Sequence, residues 1–153
     1  MSVKDPSWLA DYLKSKEKVL ILAGSLCEQI DFGEKNLLDY VAEIARGSGA
    51  AVAATGNTCI GLRKRGIDTK KSWAAALVNY THYPWQDPII NGKPEVMVFV
   101  GYNQTAACHL ASAVEDVDTV SLGNTYIEAT TYSLPDASLN GLQQNLVELV
   151  KAL

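Results

Sequence analysis

Four places in the chain join a glycine to a small polar side chain: Ala23-Gly24-Ser25, Thr55-Gly56-Asn57, Gly101-Tyr102-Asn103 and Gly123-Asn124-Thr125. Each follows a short apolar run. A glycine at the carboxyl end of a parallel strand lets a ligand approach the backbone. A helix starting just beyond it offers unpaired N–H groups and a positive dipole end to a phosphate. Open parallel sheets bind ligands along this edge. Gly24, Ser25, Gly56, Asn57, Gly101, Asn103 and Gly123 are therefore the candidate residues of a dinucleotide-type site. Glycine and Asn also suit any sharp strand-to-helix turn, so turn chemistry explains the pattern equally well. Neither standard phosphate signature is present. The first turn reads Gly24-Ser25-Leu26-Cys27-Glu28-Gln29, without G-x-G-x-x-G, and there is no Walker-type loop.

Other chemistry is thinly represented. The three cysteines, Cys27, Cys59 and Cys108, are odd in number and far apart, with no C-x-x-C. Neither a disulfide framework nor a thiolate cluster for zinc or iron–sulfur is expected. Cys27 and Cys59 follow strand ends, so one alternative makes them reactive thiols. Of the two histidines, His109 falls in a helix and His82 in an aromatic loop, with no nucleophile beside either. No G-x-S-x-G elbow and no marked acid–base pair of carboxylates occurs. No catalytic residue and no metal ligand is assigned.

The elements that must position these residues follow from hydrophobic pattern. Asp5 caps a first helix with Pro6 at its first position and Trp8, Leu9, Tyr12 and Leu13 at helical spacing. Val19–Ala23 and Val96–Val100 are continuous apolar runs of strand length, the mark of strands buried on both faces. Ala50–Ala54 and Thr119–Leu122 complete a set of four strands. Helices are expected around Leu37, Leu38, Val41, Ile44 and Ala45, ended by Gly47 and Gly49, and over Gln104–Val114 and Leu139–Leu153. Between Gly56 and Thr81 the pattern weakens to one turn over Cys59–Lys64 and a short helix over Lys71–Val78. Alternating strands and helices predict one α/β domain over residues 1–153, a three-layer, Rossmann-like open parallel sheet.

Composition narrows the functional classes. The chain has 153 residues, 48% of them hydrophobic and 20% charged, which suits a globular domain. With 13 basic and 17 acidic residues it carries a net charge of −4 and no footprint for nucleic acid. The run Arg63-Lys64-Arg65 reads as a solvated helix face. No apolar stretch approaches the ~20 residues of a membrane span, and no signal-peptide pattern opens the chain, so a cytoplasmic location is expected. Two connections are long for a compact α/β domain: the aromatic, proline-containing Tyr80–Pro88 and the segment Tyr126–Asp136. They suit either protein–protein contact or coverage of the sheet edge.

Two resemblances emerge from these segments. Lys18–Gly24, then a helix, then Gly49–Gly56 resembles the start of the central domain of thiamine-diphosphate enzymes. That domain is an open parallel sheet of the DHS-like NAD/FAD-binding type. Pro94–Gly101, Thr119–Leu122 and Ala129-Thr130-Thr131-Tyr132-Ser133-Leu134-Pro135-Asp136 resemble the epsilon subunit of the archaeal acetyl-CoA decarbonylase/synthase complex. The likeness spans roughly residues 8–150. It implies an accessory subunit that binds the large nickel–iron–sulfur carbon monoxide dehydrogenase subunit, commonly in a two-plus-two assembly, within acetyl-CoA metabolism and methanogenesis. It also implies assistance to electron transfer with FAD as the candidate cofactor, and no metal cluster in this chain. The competing expectation is a stand-alone nucleotide- or flavin-binding domain, either a small redox protein or a ligand sensor.

Overall fold

The structure, a computed structural model, describes residues 2–153. Helix α1 (Pro6–Lys14) begins as its sequence dictates: Asp5 accepts the Trp8 amide at 2.9 Å and Pro6 needs no donor partner. Strand β1 (Val19–Ala23) is buried along its whole length. A short helix, α2 (Leu26–Gln29), precedes α3 (Leu37–Ser48). Asn36 and Asp39 form a reciprocal capping box at the start of α3, and Gly49, at φ +72°, closes it. Gly47 lies inside that helix rather than ending it.

The chain continues through β2 (Ala51–Ala54), α4 (Gly56–Lys64), β3 (Thr69–Lys71) and α5 (Ala74–Tyr80). After the irregular stretch 81–95 come β4 (Val96–Val100), α6 (Gln104–Ala113), β5 (Asp118–Ser121), β6 (Tyr132–Ser133) and α7 (Leu139–Ala152). The weak region thus holds a strand where a helix beginning at Lys71 was expected, and the helix itself runs Ala74–Tyr80. The sheet has six parallel strands in the order β3-β2-β1-β4-β5-β6, not four. The two unforeseen strands are its edges. They are only three and two residues long, and lysines in β3 blunt the exposed edge.

Alternate strand residues feed two cores. Val19, Ile21, Val96, Val98 and Val120 pack under α1, α3, α4 and α7. Leu20, Leu22, Met97 and Phe99 face α5 and α6. Helices on both faces explain why the central strands are apolar throughout. This is the doubly wound, Rossmann-like order, in which the chain reverses direction between β1 and β4.

Candidate functional site

All strands being parallel, the four glycine-bearing turns do lie along one edge of the sheet. Their local roles differ sharply. At the reversal point the turns after β1 and β4 are locked together. The Gly24 amide donates to Val100 O at 2.8 Å, and the Leu26 amide donates to Gly101 O at 3.0 Å. A Cβ on Gly24 would meet Gly101 O at 2.4 Å, and one on Gly101 would meet Cys27 Sγ at 2.3 Å. Gly101 also sits at φ +81°, where a side chain is strained. Both residues are glycine because backbone packs on backbone here.

Helix α2 carries Cys27 into this contact. The side chain is fully buried and its thiol donates weakly to Val100 O at 3.5 Å. Burial pushes the thiol up to about 12, so it is neutral at ordinary pH. Cys59 is buried against Thr69, its sulfur 3.1 Å from Oγ1, and Cys108 is exposed on α6. Ser25 is exposed before α2 and makes no capping bond. Gly56, at φ +54°, and the exposed Asn57 open α4, farther along the edge toward β3.

A cleft of about 100 Å³ opens between the ends of β4 and β5, lined by Gly101, Asn103, Gln104, Ser121, Gly123 and Ile127 among others. It gathers Gly101, Asn103 and Gly123 from the expected set and leaves Gly24, Ser25, Gly56 and Asn57 outside. Asn103 caps α6, its Oδ1 accepting the Ala106 amide at 2.8 Å. Ser121 is a site residue that sequence reasoning missed. The one signal was a hydroxyl inside an apolar strand, between Val120 and Leu122. Next to the cleft an open groove of about 420 Å³ shares Gln104, Thr125 and Ile127 with it and adds Glu128 and Asp136.

The remaining motifs are mostly absorbed by the fold. Arg63 donates to Thr69 O at 3.0 Å, and Arg65 pairs with Asp39 at 2.7 Å while donating to Gly61 O. Burial opposes the charge on Asp39, yet the Asn36 amide and the Arg65 guanidinium together hold its carboxyl below the usual range. His82 sits with one ring nitrogen 2.6 Å from Ala113 O, at the carboxyl end of α6. The segment Tyr126–Asp136 contains β6, so part of it extends the sheet. The aromatic segment differs: Tyr80, Tyr83, Pro84, Asp87 and Pro88 line an open cavity of about 650 Å³, and Trp73 nearby in sequence is 72% exposed. Among the described residues, no three His, Cys, Asp or Glu side chains converge as metal ligands. No helix among them is long and apolar enough to cross a membrane.

Comparison with known proteins returns a full-length likeness. The chain is 25% identical over 152 residues to the acetyl-CoA decarbonylase/synthase complex subunit epsilon 1 of Methanosarcina barkeri (strain Fusaro / DSM 804). The alignment covers 97% of this chain and 86% of that subunit. No protein-family model matches. The likeness is distant but spans every element of the fold.

Proposed function

We propose that this chain is a non-catalytic accessory subunit of an acetyl-CoA decarbonylase/synthase-type complex. The observation that carries the reading is the similarity to an epsilon subunit over 97% of this chain and 86% of that subunit. On this reading the chain docks on a large nickel–iron–sulfur carbon monoxide dehydrogenase subunit, two copies of each, and assists electron transfer with FAD on its glycine-rich edge. Two features support it. The cysteine at the strand reversal is a buried neutral thiol rather than a poised nucleophile. The strongly exposed Trp73 and Tyr83 are of the type that dominates protein interfaces.

The test is affinity capture of the chain from its native cells under anaerobic conditions, with mass spectrometry of what co-purifies. Recovery of a large nickel–iron–sulfur subunit in near-equal amount is expected, and recovery of the chain alone refutes the proposal. A second reading, the stand-alone nucleotide-binding domain, is favoured by the cleft at the start of α6. A chain purified alone with bound flavin, released by acid and seen by its absorbance, would favour that reading.

A further inference from the structure

Two Asn-Gly pairs occur in the chain, Asn91-Gly92 and Asn140-Gly141. Such a pair has a chemistry of its own: the glycine amide nitrogen, unshielded by any side chain, can attack the asparagine side-chain amide. The fold treats the two pairs differently. Asn140 and Gly141 lie in the first turn of α7, and the Gly141 amide donates to Ser138 Oγ at 3.0 Å. Helical dihedrals keep the Asn140 side-chain carbon away from that nitrogen, and freeing the N–H would break the cap.

Asn91 and Gly92 lie in the irregular stretch before β4. Asn91 is exposed, and neither its side chain nor the Gly92 amide makes a hydrogen bond among the described residues. Lys18 supplies a second observation. A Cβ on Gly92, whose φ is +87°, would lie 2.9 Å from Lys18 Nζ, so the ammonium rests against this glycine. Lys18 is half-buried and forms no ion pair among the described residues. Glu95 does not neutralise it, since its Oε1 accepts the Glu17 and Lys18 backbone amides at 2.9 and 3.1 Å. A cation so placed favours negative charge developing at the Asn91-Gly92 peptide group.

We infer that Asn91 is a self-modification site, converted to aspartate and isoaspartate by attack of the Gly92 nitrogen with assistance from Lys18. The Gly92 amide gives its proton to solvent and its nitrogen bonds to Asn91 Cγ. The bond from Cγ to the side-chain nitrogen then breaks, and ammonia leaves with a proton returned from solvent. Water opens the resulting succinimide. Cleavage at Cγ yields aspartate, and cleavage at the main-chain carbonyl yields isoaspartate, whose backbone is one carbon longer. Nothing is oxidised or reduced; one water enters and one ammonia departs. The product carries one negative charge more than the parent's −4, one residue from an ammonium that had no acidic partner. Both changes fall three residues after Pro88, in the stretch that carries the aromatic cavity wall toward β4. The inference stands apart from the accessory-subunit reading, since it uses this chain's own residues and water.

The test is incubation of the purified full chain in mildly alkaline buffer, followed by peptide mass spectrometry and isoelectric focusing. Asn91 is expected to convert to a mixture of aspartate and isoaspartate, with one ammonia released per converted chain, while Asn140 stays intact. In the urea-unfolded chain both pairs are expected to react at similar rates. Lys18→Met slows the native reaction about threefold, the effect of one partly exposed charge, and Lys18→Arg restores it. Urea midpoints show whether the Lys18 variants remain folded, and the same variants compared in urea, where the contact is gone, react alike. The inference is overturned if Asn91 stays intact in the native chain, or if Asn140 converts as fast as Asn91 there. Asn140 remaining slow in urea overturns the claim that the fold selects between the pairs. A folded Lys18→Met variant that reacts at the parent's rate removes the assistance by Lys18.

Discussion

Replacing Gly101 by alanine tests whether the β1–β4 reversal is a packing lock. Two costs combine. Alanine at φ +81° costs about 1–2 kcal/mol for the left-handed backbone. Its Cβ would lie 2.3 Å from Cys27 Sγ, 2.9 Å from the Cys27 amide and 2.9 Å from Gly24 O, and relieving such overpacking costs about 1–3 kcal/mol. Alanine also restricts the unfolded chain, which returns about 0.4–1 kcal/mol. The net loss is about 1–5 kcal/mol, a large part of a domain's ~5–15 kcal/mol. At this chain length that lowers Tm by roughly 2–18 °C.

The assay is urea unfolding with equal slopes for variant and parent, so that the midpoint shift reads stability alone. Gly123→Ala is the control, since nothing lies within 4 Å of its Cβ and its φ is not positive; a change within about 0.5 kcal/mol is expected. Combining Gly101→Ala with Cys27→Ala removes the sulfur from the clash. The double variant should then be less destabilised than the sum of the singles by about 0.5 kcal/mol or more. A Gly101→Ala variant as stable as the parent, or strict additivity in the cycle, refutes the lock.

Alkaline unfolding follows from three groups held protonated by the fold. Burial, then the hydrogen bond to Asp118, raises Tyr12; burial raises Tyr102; burial holds Cys27 at about 12. The unfolded chain gives up these protons first, so stability is complete below about pH 9 and falls as pH rises toward 12. Urea midpoints measured across that range check it, and a flat profile contradicts it. In the native protein a thiol reagent should label Cys108 rapidly and leave Cys27 and Cys59 until unfolding; rapid labelling of more than one thiol per chain contradicts the packing at the reversal.

The central strands, the capped start of the first helix and the shared glycine edge were all legible before the fold was known. Val19–Ala23 and Val96–Val100 are too apolar to be anything but strands covered on both faces. Asp5 with Pro6 declares a helix start through a local hydrogen bond. Such signals are carried by residues adjacent in the chain, so the order of amino acids suffices to read them.

The edge strands and the division of labour among the glycines were not legible in this way. β3 and β6 exist because a longer neighbour offers them backbone partners; their own residues, such as Lys70 and Lys71, carry no strand period. Gly24, Gly56, Gly101 and Gly123 look alike as letters. Only the approach of β1 to β4 makes Gly24 and Gly101 a closed contact, while Gly123 borders an open cleft. Ser121 gained its setting in the same manner, from Phe99 across the sheet and α6 above it. The sequence determined the central strands and the main helices, because their causes are local; the tertiary structure alone decided the edge strands and which strand end is left open, because these depend on contacts between residues tens of positions apart.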